Sequence, residues 1–255
     1  MTPSSFYEAL EAGRYRATEA CRGPWSRDHQ HAGPPSALLA RDLAAALPDG
    51  LEVARVTVEL LRPIPLGVVH IEAEPPAGGR RVQRIRGRLM VDDRAVAEAS
   101  LVAVRSAEIA APAQETPRLP PPEGGEPFVF PFFDTPIGYH TAVELRRVAG
   151  VFGEGPTAFW LRMRIPLLPG EAPSPLTRAL VAADSGNGVS PVLDWRTRTF
   201  INPELTVHLF RPPEGEWIGL DARTHATPTG VGLAETRLCD GRGTFGRGAQ
   251  ALLLE

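Results

Sequence analysis

The sequence has 255 residues and a formal net charge of −3 at pH 7, which fits one large or two small domains and gives no electrostatic reason to expect nucleic acid or an anionic membrane as a partner. The two cysteines, Cys21 and Cys239, lie far apart without metal-ligand spacing, which favours reduced thiols in a cytoplasmic protein. Residues 1–15 contain Glu8 and Glu11 but no apolar stretch flanked by basic residues, and no run approaches the roughly 20 apolar residues of a membrane span. We therefore expect neither a signal peptide nor a transmembrane helix.

The first half of the chain has the pattern of one helix followed by antiparallel strands. An opening element at residues 6–15 is followed by a segment with two prolines, which leads into a helix. The apolar positions of this helix are Leu38, Leu39, Leu43, Ala46 and Leu47. Strands in which apolar and polar residues alternate are predicted at residues 52–62, 68–73, 83–91 and 95–104. Residues 75–79 and 92–93 supply the turns between them.

The second half repeats this order after a linker. Residues 110–127 are rich in Pro, Gly, Ala and Glu, which predicts an exposed linker. Ser174 and Pro175 then mark a helix start, with a side-chain oxygen at the N-cap and proline at the first helical position. Leu176, Ala179, Leu180 and Ala183 recur at helical spacing, the helix ends at Asp184, and a break is predicted at residues 185–188. Strands are predicted at residues 205–211, 217–223, 231–238 and 247–253.

The two halves are an internal repeat. Residues 56–63, VTVELLRP, align with residues 205–212, LTVHLFRP, and five of the eight positions are identical. The offset is 149 residues (205 minus 56), and the same offset pairs Ala73 with Ala222 and Val82 with Val231. Solenoid repeats have periods of roughly 20–50 residues. The sequence therefore predicts a duplicated domain, with halves at residues 1–109 and 128–255.

Several short segments, in this order and spacing, resemble the acyl-CoA thioesterase II family over nearly the whole chain. They are HAGPPSALL at residues 31–39, LRP at 61–63, AAD at 182–184, FRP at 210–212, GEW at 215–217 and GAQ at 248–250. The resemblance implies an α+β double hotdog fold, in which each half wraps an antiparallel sheet around one helix. It also implies hydrolysis of an acyl-CoA to free acid and CoA, a place in fatty acid metabolism, no metal or organic cofactor, and a homodimer.

The resemblance also implies three site residues in the second half. In that family an aspartate, a threonine or serine, and a glutamine hold the attacking water, and these positions fall on Asp184, Asn202 and Gln250. Asn202 departs from the family because an amide can hydrogen-bond a water but offers no hydroxyl. Asp184 is the candidate general base. Each residue also has an ordinary alternative: a helix-end acid, a polar residue in a turn, and a residue on the wet face of a strand. No substrate-binding residues are predicted.

Two features near the first helix allow other chemistry. His29 and His31 form an HxH pair, but no third ligand follows at metal-site spacing. The amide of Gly33 and those just beyond it are candidate donors to a thioester oxygen, although Pro34 and Pro35 remove two donors.

The remaining conspicuous residues have structural interpretations. Arg62 and Arg211 occupy equivalent repeat positions, which favours a structural role over a phosphate clamp. His208 is predicted to be a strand residue facing solvent or a neighbour. Core or interface positions are predicted for the four tryptophans, Trp25, Trp160, Trp195 and Trp217.

Two other functions remain open on the sequence. One is a non-catalytic acyl- or acyl-CoA-binding protein, favoured by the Asn202 departure. The other is a hotdog enoyl-CoA hydratase, because the segment DSGNGVSP at residues 184–191 is similar to the hydratase segment that places an aspartate and a histidine together. The histidine of that segment is absent here, which disfavours a hydratase.

Overall fold

The computed structural model describes residues 3–112 and 115–255. Residues 1–2, at the start of the predicted N-terminal segment, and 113–114, within the predicted linker, lie outside the described residues. The helices are α1 (Gly33–Ala45), α2 (Tyr139–Ala142), α3 (Pro175–Ala183) and α4 (Gly186–Val189). The strands are β1 (Tyr7–Glu11), β2 (Arg14–Ala17), β3 (Leu51–Leu60), β4 (Val68–Ala73), β5 (Ala77–Gly78), β6 (Val82–Val91), β7 (Arg94–Arg105), β8 (Glu126–Phe128), β9 (Val143–Ala149), β10 (Thr157–Met163), β11 (Phe200–Ile201), β12 (Glu204–Leu209), β13 (Trp217–Ala226), β14 (Val231–Asp240) and β15 (Gly243–Leu254).

All fifteen strands of the described residues belong to one antiparallel sheet. Its order is β1-β2-β4-β6-β7-β3-β12-β15-β14-β13-β10-β9-β8, with β5 added to β6 and β11 added to β15. The two halves of the chain meet where β3 pairs with β12. Each half therefore contributes one continuous run of strands to a shared sheet.

The pairing of β3 with β12 relates the two halves by an internal two-fold axis. Thr57 pairs with Thr206, its own equivalent 149 residues later, and their hydroxyls lie 3.2 Å apart. The bounds of β14 and β15 are those of β6 and β7 shifted by the same 149 residues. The sheet thus follows the repeat that the sequence predicted.

The two longer helices, α1 and α3, pack against each other and against the sheet. Leu38 and Leu39 of α1 and Leu180 and Val181 of α3 are fully buried in one hydrophobic core. Most residues of both helices are buried, not only one stripe of each, because the sheet and the partner helix cover them from opposite sides. The predicted α+β double hotdog is confirmed. None of the described helices is long and apolar enough to cross a membrane.

Local predictions have mixed outcomes. The Ser174 N-cap is confirmed, since its Oγ accepts the Thr177 N–H at 3.1 Å. The helix end predicted at Asp184 is confirmed, since α3 ends at Ala183, but residues 186–188 of the predicted break form part of α4, with the Ser190 hydroxyl donating to the Gly186 carbonyl at 2.9 Å. Helix α1 ends at Ala45, earlier than predicted. Strands β8 to β10 were not predicted. For β10 the reason is that it is a continuous buried run without alternation of apolar and polar residues.

The described residues of the predicted linker, 110–112 and 115–127, lie mostly exposed and contact the second half of the sheet. The indole N–H of buried Trp160 donates to the Pro120 carbonyl at 2.7 Å, and the Thr244 N–H donates to the Thr116 hydroxyl at 3.0 Å. Beyond them, the chain enters the sheet as β8. The described part of this connection is therefore hydrogen-bonded to the second half of the sheet.

A buried ion pair closes the end of the β14–β15 hairpin. The Arg211 guanidinium donates to both carboxylate oxygens of Asp240, at 2.5 and 2.8 Å, and the amides of Glu214 and Arg242 donate to the same carboxylate. Burial alone would raise the pKa of Asp240, but the hydrogen bonds from Arg211 and the two amides outweigh it and hold that pKa below its usual range. The structural role predicted for Arg211 is confirmed.

Asp240→Asn is expected to lower the free energy of unfolding by about 3 kcal/mol at pH 7, because it leaves a largely buried arginine without its counter-charge. A carboxyl group with a depressed folded-state pKa stabilises the protein above its unfolded pKa, and this contribution is lost as pH falls through the folded pKa. The difference between wild type and variant should therefore shrink below about pH 4. Urea unfolding at several pH values measures it. Asp194→Asn, in an exposed pair, is the control, and an equal effect in both variants would contradict the prediction.

Candidate active site

Asp184 follows the last residue of α3 and lines a cavity of about 300 Å³. Its side chain is 3% exposed. The Asn202 Nδ2 donates to Oδ1 at 2.9 Å, and the Gln250 Nε2 donates to the same oxygen at 3.4 Å. The structure thus brings the three predicted site residues together. Among the residues the structure describes, His31 is the one basic side chain within ion-pair distance, with Nδ1 3.0 Å from Oδ2.

Gln250 lies behind Asp184 on β15 and is almost fully buried. Its Nε2 also donates to the Asp184 backbone carbonyl at 3.1 Å, and its Oε1 accepts the Asn187 N–H at 3.1 Å. Gly186 allows this close fit, because a Cβ there would lie 2.3 Å from the Thr236 hydroxyl oxygen. Gln250 therefore joins the end of α3 to the start of α4.

Asn202 lies between β11 and β12 and lines the cavity beside Asp184. Its Nδ2 donates to Asp184 and, more weakly, to the Glu204 carbonyl at 3.4 Å. The amide nitrogen is thus committed to the protein, and Oδ1 is left as the acceptor that can face a ligand. Asn202 thus donates a hydrogen bond to the Asp184 carboxylate, as a threonine or serine hydroxyl would.

His31 is a site residue that sequence reasoning missed. It precedes α1 in the first half of the chain, and its Nδ1 accepts the Gly33 N–H at 3.1 Å. Burial lowers the pKa of His31, although Asp184 acts in the opposite direction. Burial thus favours the neutral form of the imidazole. The available signal was its position: a residue just before the first helix of a double hotdog meets the end of the second helix.

Tyr139 holds the His31 ring in place. The two rings stack with centroids 3.7 Å apart and planes 6° from parallel. The Tyr139 hydroxyl contacts the Val181 carbonyl at 2.7 Å and the Ser185 hydroxyl at 2.9 Å. The imidazole is thus fixed between an aromatic ring and the end of α3.

One expectation about this region is wrong, and one contact was not expected. The Gly33 N–H is not free for a thioester oxygen, because it donates to His31 Nδ1. A histidine does lie beside Asp184. It is His31, from the other half of the chain, and not a residue of the hydratase-like segment at 184–191.

Among the described residues, no group of three or more His, Cys, Asp or Glu side chains is placed to hold a metal ion. His29 lines the cavity, and His31 makes the contacts given above. Both histidines of the HxH pair therefore line the same cavity, and His31 is the one that lies beside Asp184.

The rest of the cavity wall is mainly apolar and rich in aromatic rings. The large apolar side chains in it are Trp25, Leu60, Leu61, Ile64, Phe130, Phe132, Phe200 and Ile201. Trp25 is 42% exposed, stacks on Phe132 and contacts Phe200 edge-on at 5.1 Å. It belongs to the cavity wall and not to the core, unlike Trp160, which is buried as predicted. Such a surface suits an apolar group of modest size.

Arg62 and Arg211 differ despite their equivalent positions. Arg211 pairs with Asp240, but the equivalent of Asp240 in the first half is Val91. Arg62 instead donates to the Ala95 carbonyl at 2.8 Å and lines the cavity. The structural role predicted from the repeat therefore fits Arg211, whereas Arg62 also lines the cavity. His208 is exposed on β12, as predicted.

Comparison with known proteins gives family and fold matches. Residues 21–105 match the family model described as the acyl-CoA thioesterase N-terminal domain, and residues 112–254 match the acyl-CoA thioesterase C-terminal domain. A search of curated proteins finds no match.

Solved structures share the fold at low sequence identity. A thioesterase II candidate from Thermobifida fusca superposes with a TM-score of 0.76 at 18% identity, covering 99% of this chain and 96% of that one. An acyl-CoA thioesterase II from Mycobacterium marinum gives 0.69 at 16% identity, with 98% and 95% covered. A hotdog protein of unknown function from Alicyclobacillus acidocaldarius gives 0.75 at 17%, with 97% and 95% covered.

Proposed function

The chain belongs to the acyl-CoA thioesterase family, and from this premise we propose that it hydrolyses an acyl-CoA with Asp184 as general base. The observation that carries the proposal is a buried carboxylate, oriented by two neutral amide donors, in the wall of an apolar cavity. Neutral donors fix a carboxylate without cancelling its charge, as an arginine would. Asp184 therefore stays able to accept a proton.

The proposed reaction needs water as its one co-substrate. A water oxygen attacks the thioester carbonyl carbon while Asp184 takes one of its protons, and the C=O electron pair moves to oxygen. The tetrahedral intermediate then re-forms C=O and breaks the C–S bond. The leaving sulfur receives the proton from Asp184, which gives a carboxylic acid and the CoA thiol.

Asn202 and Gln250 have different parts in this proposal. Asn202 lines the cavity, so its Oδ1 is available to accept a hydrogen bond from the attacking water. Gln250 acts on the water through Asp184, since its own amide is bonded to protein groups at both ends. The cavity suits an apolar acyl group, and a place in fatty acid metabolism and a homodimer belong to the proposal as implications of the family resemblance.

Hydration of an enoyl-CoA is a second candidate, favoured by the 3.0 Å approach of His31 to Asp184. An assay on a trans-2-enoyl-CoA separates the two. Hydrolysis releases a free thiol, whereas hydration removes the double bond and leaves the thioester intact. Loss of the double bond without thiol release would contradict the thioesterase proposal.

Asp184→Asn is expected to lower kcat by roughly 10²–10⁴-fold, because an amide cannot take a proton from water near neutral pH. The change is nearly isosteric, and its oxygen can still accept from Asn202 and Gln250, so stability should change by about 1 kcal/mol or less. Steady-state CoA release on a panel of acyl-CoAs measures the rate, thermal melts check folding, and Asp194→Asn is the matched control. A folded variant with the wild-type kcat would place the base elsewhere.

Asn202→Thr should keep or raise the rate, because it restores the hydroxyl of the resembled family. Asn202→Leu should lower kcat about 10-fold, since Asp184 Oδ1 then keeps only the longer bond from Gln250. Comparing kcat of the two variants in the same CoA-release assay tests this. An unchanged rate in the leucine variant would remove Asn202 from the site.

Gln250→Ala should reduce kcat less than Asp184→Asn does, because Gln250 positions the base and takes no proton. It should also lower the free energy of unfolding by about 2 kcal/mol, since the buried Asn187 N–H and Asp184 carbonyl lose their partner. Parallel kinetics and urea unfolding measure both effects. A larger kcat loss than in Asp184→Asn, with the fold intact, would contradict this assignment.

A further inference from the structure

The hydrolysis proposed above leaves the developing negative charge on the thioester oxygen without a named donor. The start of a helix presents backbone amides that favour an anion. Here the start of α1 has no free donor between residues 33 and 36. The Gly33 N–H donates to His31, Pro34 and Pro35 have no N–H, and the Ser36 N–H donates to the Ala32 carbonyl at 3.1 Å.

The polar side chains of the cavity wall near Asp184 are largely committed as well. The amide nitrogen of Asn187 donates to the Phe200 carbonyl, and that of Asn202 donates to Asp184. Ser185 shares a hydrogen bond with Tyr139. The oxygen of a thioester beside Asp184 therefore needs a donor from another group.

His31 has the right tautomer for this task. A backbone N–H is a donor only, so the Gly33 N–H requires a lone pair on His31 Nδ1. The same Nδ1 lies 3.0 Å from Asp184 Oδ2, but among the described residues Gly33 is the one group that forms a hydrogen bond with it. The single proton of a neutral imidazole is then on Nε2. The Gly33 amide thus acts on the ligand indirectly, by setting which ring nitrogen carries the proton.

The Nε2 atom of His31 is available to a ligand. The ring lines the cavity, and no hydrogen bond from a described residue reaches Nε2. The atom is also not fully buried, and the His31 side chain is 13% exposed. Stacking on Tyr139 fixes the direction of the N–H bond.

We propose that His31 is a catalytic residue of the thioesterase, donating a hydrogen bond from Nε2 to the substrate's carbonyl oxygen while Asp184 activates the water. This inference rests on the proposed function. The imidazole keeps its proton throughout: the carbonyl electron pair moves to oxygen as water adds, the Nε2–H stabilises that oxyanion, and the pair returns when the C–S bond breaks. Removing one such donor typically costs 10²–10³-fold in kcat.

Two substitutions of His31, each of which keeps a donor near the position of one ring nitrogen, test the role of Nε2. The amide nitrogen of glutamine reaches about as far as Nε2, and that of asparagine reaches about as far as Nδ1. His31→Gln should keep kcat within about 10-fold of wild type, whereas His31→Asn should lose roughly 10²–10³-fold with little change in KM. Thermal melts check the fold of each variant, and His208→Gln, on the exposed face of β12, is the control. The opposite ranking, or equal losses in both folded variants, would overturn the proposal.

Nitrogen NMR of the imidazole gives a readout independent of turnover. In the wild type near neutral pH, the His31 resonances should show a protonated Nε2 and an unprotonated Nδ1. A protonated Nδ1 would overturn the proposal. Wild type without CoA release on any acyl-CoA would instead defeat the proposed function, and with it this role, whereas a failed glutamine–asparagine ranking in an active enzyme defeats the role of His31 alone.

Discussion

The contact between the start of α1 and the end of α3 is the constraint on which the site depends. A Cβ on Gly33 would lie 2.8 Å from the Val181 carbonyl oxygen, closer than real Cβ atoms approach. Glycine at this position therefore lets the two helices touch. Because the helices touch here, His31, two residues before Gly33, lies beside Asp184, three residues after Val181. No local feature of either half produces that pair.

Asp184 occupies a position that helix electrostatics disfavours, because an acid at a helix C-terminus faces the negative end of the dipole. Hydrogen-bond donors, and not cationic side chains, offset this unfavourable interaction with the helix dipole. Two amide nitrogens bond its Oδ1, and α4 begins two residues later, so the carboxylate also lies near the positive end of a short helical turn. A neutral shell of this kind keeps the charge that a base needs. Asp240, by contrast, is paired with an arginine.

The sequence predicted the features that recur along the chain and missed those that depend on contact between distant segments. Period-2 alternation and the 149-residue offset gave the strands of both halves, because those signals are local or repeated. The continuous apolar run of β10 carried no such signal. The partners of His31 could not be read from spacing, since Asp184 lies in the other half and the HxH pair invited a metal interpretation. Arg62 and Arg211 show the limit of the repeat itself: identical residues have different roles because the partner position holds Val91 in one half and Asp240 in the other.

The same offset explains why two similar halves make one site. The equivalents of Asn202 and Gln250 in the first half are Val53 and Leu101. Leu101 is buried in the core, where an amide without partners would cost free energy. The first half thus holds apolar packing where the second holds the amides that orient Asp184. It contributes His31 instead, so each half lacks groups that the other supplies. The pairing of β3 with β12 holds the two halves together in one sheet. The site can therefore be divided between them, because neither half needs all of the site residues.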